Sequence, residues 1–229
     1  MRSRTDAEPL YARRYVRQRH RALRCYHLWM ARKRASLLCA LTPIAAGDRV
    51  LEIGCDTGVL LRELLRSGAS VEGVDLNPEA VQSCDGLNVQ VAGAEQLPFP
   101  DEHFDCVVAS HVIEHVRDHE RMLREASRVL RPSGCLVLWY PFELFRGMTV
   151  LPELLVAGRP IALARAYHLH RFSPRGLRAP SRRAELVERA WRWCVYGPVP
   201  EFMSVYFKKS TAHKSKGPGK PGPSRTTET

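Results

Sequence analysis

The chain has 229 residues, 45% hydrophobic and 26% charged, enough for one α/β domain with its own core. It has no uncharged apolar run of about 18 residues, which argues against a membrane-spanning helix, and its first residues lack the apolar centre of an export signal, so a cytoplasmic location is expected. The net charge of +11 is uneven: residues 1–40 carry +9, residues 208–229 carry +5, and the remainder carries −3. Basic ends of this kind suit either a weak contact with a polyanion or an anionic membrane, or a solvated helix face and a soluble tail; charge runs alone favour the second. The seven cysteines include no C-x-x-C pair and several sit in apolar runs, so buried free thiols are expected.

Residues 10–41 have the three- and four-residue apolar spacing of a helix, closed by Pro43 and Gly47. The pattern then alternates. RVLEIG (49–54) reads as a strand and GVLLRELLRSG (58–68) as a helix. SVEGVD (70–75) is a strand, followed by a short helix with Asn77 as N-cap and Pro78 at its first position. NVQVAG (88–93) and FDCVVAS (104–110) are strands, residues 111–131 a helix ending before Pro132, and SGCLVLWYP (133–141) a strand. Residues 142–172 are irregular and contain the apolar patch TVLPELLVAG. RFSPRGLRAPSRRAELVERA reads as a helix, RAWRWCVYG and EFMSVYFKK as two final strands, and the tail from Ser210 as disordered. Strands separated by helices imply crossover units and a mostly parallel sheet. The domain reading is a basic helical N-terminal extension (1–40), a main domain (41–208) and a basic tail (209–229).

VLEIGCDTG (50–58) places a glycine-bearing turn between a first strand and a first helix, where backbone N–H groups can approach a ligand. SVEGVDLNP then ends the second strand on Asp75, where a carboxylate can accept from both hydroxyls of a ribose. VAGAEQLPFPDEHFDCVVASHVIEHV and LREASRVLRPSGCLVLWYP follow in order. With these motifs, residues 36–141 resemble the class I S-adenosylmethionine-dependent methyltransferases, of the ubiquinone/menaquinone C-methyltransferase and small-molecule type. The resemblance implies a Rossmann-like, doubly wound, seven-stranded, mostly parallel sheet and S-adenosylmethionine as cofactor. It places Glu52, Gly54, Cys55, Asp56 and Gly58 around the cofactor's methionine part, Asp75 at the ribose, and Leu76, Ala94 and Glu95 beside the adenine. Ser110 and His111 fall near the methyl-transfer site. Two positions depart from the family pattern: Asp56 replaces the usual turn glycine, and Ala92-Gly93-Ala94 stands where G-D-A is common.

The implied reaction is methyl transfer to an O or C atom of a small, apolar acceptor, quinone-, lipid- or polyketide-like. His111, His168 and His170 are the candidate bases, Trp139, Tyr140 and Phe142 candidate pocket walls. An RNA or protein methyltransferase that uses the basic ends, and a non-catalytic cofactor- or partner-binding module, are the alternatives. His111, Glu114 and His115 also spell H-x-x-E-H, a spacing used by zinc peptidases. No further ligand was legible downstream, so no metal is expected. The oligomeric state is not encoded in any of these motifs.

Overall fold

A computed structural model describes residues 21–42, 44–144, 148, 168–195 and 200–210. The elements are α1 (Arg21–Leu41), β1 (Arg49–Ile53), α2 (Val59–Leu65), β2 (Ser70–Asp75), α3 (Pro78–Gln82), β3 (Asn88–Val91), β4 (Phe104–Ser110), α4 (His119–Val129), β5 (Leu130–Pro141), α5 (Pro174–Arg183), β6 (Leu186–Cys194) and β7 (Glu201–Lys208). The strands form one seven-stranded sheet in the order β3-β2-β1-β4-β5-β7-β6. The pairs from β3 to β5 are parallel; β7 runs antiparallel to both β5 and β6. This is the expected mostly parallel, seven-stranded, doubly wound sheet.

The two-residue period of the strands divides the core between two faces. Leu51, Ile53, Val107, Ala109, Leu136, Leu138 and Tyr140 pack with Met122, Leu123 and Ala126 of α4 and Leu177 of α5. Val50, Cys106, Val108, Cys135, Val137 and Trp139 turn the other way, onto Ala31, Ala35 and Leu38 of α1 and Leu60, Leu61 and Leu64 of α2. α1 therefore covers one face of the sheet in the same core as α2, opposite α4 and α5. Trp139 and Tyr140 are fully buried, with the Tyr140 hydroxyl 2.8 Å from Ser204 Oγ. Of the seven cysteines, five are buried, while Cys25 and Cys39 are exposed; all are free thiols.

β2 and β4 match their sequence-derived limits. Asn77 caps α3 by accepting from Glu79 N–H at 2.9 Å, with Pro78 at the first helical position, as expected. Three stretches differ from the sequence reading. Residues 111–118 are not helical; His111 has φ +56°, which no helix accommodates, and α4 starts only where Asp118 accepts from Arg121 N–H at 2.8 Å. β5 starts at Leu130 rather than 133, because the chain pairs Leu130 with Phe104 and then bulges through Pro132 and Ser133, the latter at φ +65°. α5 stops at Arg183, and Leu186 already begins β6, since Leu186, alternating with exposed neighbours, is fully buried in the sheet core. The apolar patch 148–158 and the tail from 211 lie outside the described residues, Met148 apart.

Two side chains of α4 grip the LPFPDEHF segment: Glu125 accepts from Leu97 N–H at 2.8 Å, and Arg128 binds carbonyls. Arg128 of α4 donates to the Leu97 and Phe99 carbonyls at 2.9 and 2.8 Å and pairs with Glu125 and Asp101. Among the described residues, no helix is long and apolar enough to cross a membrane. Truncating Leu38 tests whether α1 belongs to the folding unit: Leu38→Ala should cost about 2–5 kcal/mol in the single main transition of a urea titration, read by tryptophan fluorescence. An unchanged midpoint would make α1 an appendage.

Candidate active site

The parallel strand order reverses between β1 and β4, so the loops leaving their carboxyl ends diverge and open a crevice there. β1 delivers Glu52 and then the turn 54–58. Gly54 and Cys55 N–H both donate to the Val74 carbonyl, at 2.8 and 3.0 Å, which ties the turn to the end of β2. Gly54 has φ +72°, and a Cβ there would lie 2.4 Å from Val112 Cγ2, so a side chain is excluded both by conformation and by the segment after β4. Asp56, in place of the usual turn glycine, takes the left-handed conformation, φ +47°, which aspartate accepts more readily than most residues. Gly58, φ +69°, precedes the first residue of α2.

Asp75 ends β2 and accepts from Asn77 N–H and Asp56 N–H, each at 2.9 Å. Burial raises its pKa against those donors, and the neighbouring Asp56 charge adds to the rise. Burial also pushes Glu52 well up, with Asp56 next in importance. Glu52 Oε2 has no hydrogen-bond partner among the described residues, and neither does Ser110 Oγ at the end of β4. Leu76 is exposed beside the crevice, and a Cβ on Gly93 would meet only Leu76 Cδ1, at 3.8 Å. A flat group would have an apolar wall there and open space beyond it. Cys55 is buried under the turn, and Ala94 packs against the core. Glu95 instead accepts from Asp118 N–H at 2.6 Å, an interaction that caps the approach to α4.

His111 leaves the end of β4, its N–H bonded to the Trp139 carbonyl at 2.8 Å. Its Nε2 lies 2.7 Å from Glu201 Oε2 and 2.8 Å from Arg34 Nη2; its Nδ1 lies 3.2 Å from Glu114 Oε1. Arg34 in turn pairs with Glu201 at 2.5 Å. Burial opposes a charge on His111, but Glu114 and Glu201 on either side outweigh it and raise its pKa. Glu201 is held down at about 2 against its burial, chiefly by His111 and Arg34. Both ring nitrogens thus face a carboxylate, and the Arg34 guanidinium also stands against Nε2. His168 is buried, its Nδ1 2.8 Å from Glu143 Oε1; Leu169 and His170 N–H donate to the Glu114 carbonyl, at 2.8 and 3.1 Å. The His170 ring stands further out, 3.3 Å from the Arg117 carbonyl.

The expected cofactor residues Glu52, Gly54, Cys55, Asp56, Gly58, Asp75 and Leu76 thus gather at the carboxyl ends of β1 and β2, Cys55 buried beneath the turn, with Ser110 and His111 at the end of β4 beside them. Arg34, Glu143 and Glu201 were not anticipated. An arginine on the buried stripe of α1, one turn from Ala31 and Leu38, and an acid opening the apolar strand EFMSVYF, were the available signals.

A family description, methyltransferase domain, matches residues 51–138. The chain is 32% identical over 107 residues to a demethylmenaquinone methyltransferase of Tropheryma whipplei, covering 44% of each chain. It is 34% identical over 112 residues to a 27-O-demethylrifamycin SV methyltransferase of Amycolatopsis mediterranei, covering 44% of this chain and 41% of that one. The match thus spans under half the length of these relatives. A solved structure from Galdieria sulphuraria, described as a putative sarcosine dimethylglycine methyltransferase, superposes with a TM-score of 0.63 at 16% identity, over 82% of this chain and 88% of that one, and shows the shared fold. The orphan oxygen of Glu52, the side-chain-free turn at Gly54 and the open slot at Gly93 fit the cofactor of the matching family. Residues 51–138 thus match a methyltransferase domain, and the sheet around them has the fold of S-adenosylmethionine-dependent methyltransferases.

Proposed function

We propose that the protein transfers the methyl group of S-adenosylmethionine to an oxygen or carbon of a small, apolar, ring-bearing molecule of quinone or polyketide type. The observation that carries this reading is the junction of β1, β2 and β4, where the buried Glu52 keeps an unpartnered oxygen and Asp75 stands beside a turn whose Gly54 leaves no room for a Cβ. The acceptor class is supported by the quinone- and polyketide-directed names of the relatives at 32–34% identity.

When bound, the cofactor supplies an electrophilic methyl on a sulfonium. The chain's own part is to bind, align and keep water out. Glu52, with its unpaired oxygen, suits the cationic amino group; Asp75 suits the ribose hydroxyls; Leu76 and the Gly93 slot suit the adenine. His111, with both nitrogens engaged by Glu114, Glu201 and Arg34, holds the shape of the rim rather than deprotonating an acceptor. Arg34 keeps Glu201 in place for that role.

With labelled cofactor and a panel of demethylated quinones and hydroxylated polyketides, label should enter at least one acceptor. Asp75→Ala should weaken cofactor binding by about 10- to 150-fold, the value of hydrogen bonds to a charged group, measured by titration calorimetry. Unchanged binding in that variant, or no binding by the unaltered protein at millimolar cofactor, would overturn the reading. A gain is expected at a second position. Gly93→Asp places an acceptor in the open slot without backbone strain and should tighten cofactor binding about threefold to tenfold. Removing the cation of the rim is a stability test: Arg34→Met leaves Glu201 buried beside one partner fewer and should lower unfolding free energy by on the order of 3 kcal/mol.

A further inference from the structure

Beside the rim lies a second group of side chains that the cofactor does not require. Glu114, His115 and His168 each bring one donor atom to within 4.8 Å of the others. Glu114 and His168 are buried, and His115 is half-buried. The cluster is built from two distant stretches of chain. Glu114 and His115 lie in the turn after β4, and the segment carrying His168 is stapled to that turn by the hydrogen bonds from Leu169 and His170 to the Glu114 carbonyl.

Two independent features give the cluster the character of a ligand site. The first is Glu114. Its carboxylate is 1% exposed, yet neither oxygen meets a donor in hydrogen-bonding geometry. The closest nitrogens are His111 Nδ1, at 3.2 Å, and His115 Nε2, at 3.9 Å. A buried carboxylate with no aligned donor is costly unless a cation compensates it. The second is the support behind His168. Glu143, itself buried, binds His168 Nδ1 at 2.8 Å and thereby leaves Nε2 as the available donor. A carboxylate behind an imidazole is the usual way a metal-binding histidine is oriented and its tautomer fixed.

We propose that Glu114, His115 and His168 bind one divalent first-row transition cation, with Glu143 positioning His168. Two imidazoles and one carboxylate suit zinc, manganese, iron or cobalt rather than magnesium or calcium, which prefer all-oxygen sets. Bonds of about 2.0–2.2 Å put tetrahedral donors about 3.3 Å apart, so the three side chains draw together by about an ångström or more on binding. Three protein ligands leave at least one position open. Glu114 adjoins His111, so the open position borders the rim of the methyl-transfer crevice. Under the proposed reading, it would hold an oxygen of the acceptor. This assignment differs from the peptidase-type H-x-x-E-H arrangement: His111 is committed to Glu201 and Arg34, and the third ligand comes from residue 168.

The test uses the full-length protein, stripped with a chelator and titrated with zinc, manganese or cobalt chloride alone. Bound metal is measured by plasma mass spectrometry, and cobalt also by its visible absorption. One equivalent is expected, with the intense d–d bands of a low-symmetry cobalt site. His115→Gln, the least buried ligand change, should weaken binding on the order of 100-fold, and Glu143→Gln about 10- to 100-fold. His103→Gln, at the opposite end of the sheet, should leave binding unchanged. Binding below a tenth of an equivalent, or binding that survives His115→Gln and Glu114→Gln in protein with an unaltered circular dichroism spectrum, would overturn the site. Cofactor calorimetry on the stripped protein separates the two proposals. Cofactor binding without metal binding sinks only the metal site; metal binding without cofactor binding sinks only the methyltransferase reading.

Discussion

Everything at the functional end of this molecule depends on β1 having a parallel partner on each side. Val50 to Ile53 pair with β2 on one edge and with Cys106 to Ala109 of β4 on the other. Central pairing buries every residue of the strand after Arg49 and fixes the height at which the chain must leave the sheet. The turn 54–58 therefore emerges level with the ends of β2 and β4, and the acids Glu52 and Asp75 come within electrostatic reach of each other. Burial of Glu52 in the central strand opposes its charge, and the charges of Asp56 and then Asp75 add to that.

The rim is governed by a second constraint, a chain of alternating charge that runs from Arg34 through Glu201 and His111 to Glu114. Each member is contributed by a different part of the fold: α1, β7, the end of β4 and the turn beyond. Such a chain brings little net stability, because desolvation offsets most of the attraction, but it allows few alternative arrangements. It orients His111 while occupying both of its nitrogens. The histidine that looked most like a base in the sequence is thereby a fixed part of the rim, with neither nitrogen left to take a proton from a substrate.

The sheet and the crevice were legible because local signals agreed with the tertiary arrangement. SVEGVD and FDCVVAS are apolar strands between turn residues, and Asn77-Pro78 is a capped helix start in any context. The stretch after His111 was not legible. Val112, Ile113 and Val116 carry a helical spacing, yet a left-handed backbone at His111 and the staple from Leu169 and His170 hold the segment as a turn. Arg34 and Glu201 were missed for a related reason. Their importance comes from a contact across 167 positions of sequence, and neither residue has local chemistry that announces it. His168 and Glu143 likewise gain their meaning only when the segment leading into α5 returns to the turn after β4.

That separation has a consequence during synthesis. Arg34 leaves the ribosome early, on a helix whose apolar stripe is ready to pack. Its carboxylate partner follows 167 residues later, roughly 10–30 s at ordinary translation rates. Through that interval the nascent sheet can assemble from β3 to β5 with an unneutralised guanidinium over its crevice. Only the insertion of β7, antiparallel and late, completes the rim. The turn 54–58 and its partners at the ends of β2 and β4 can thus form before the charged rim, which waits for β7.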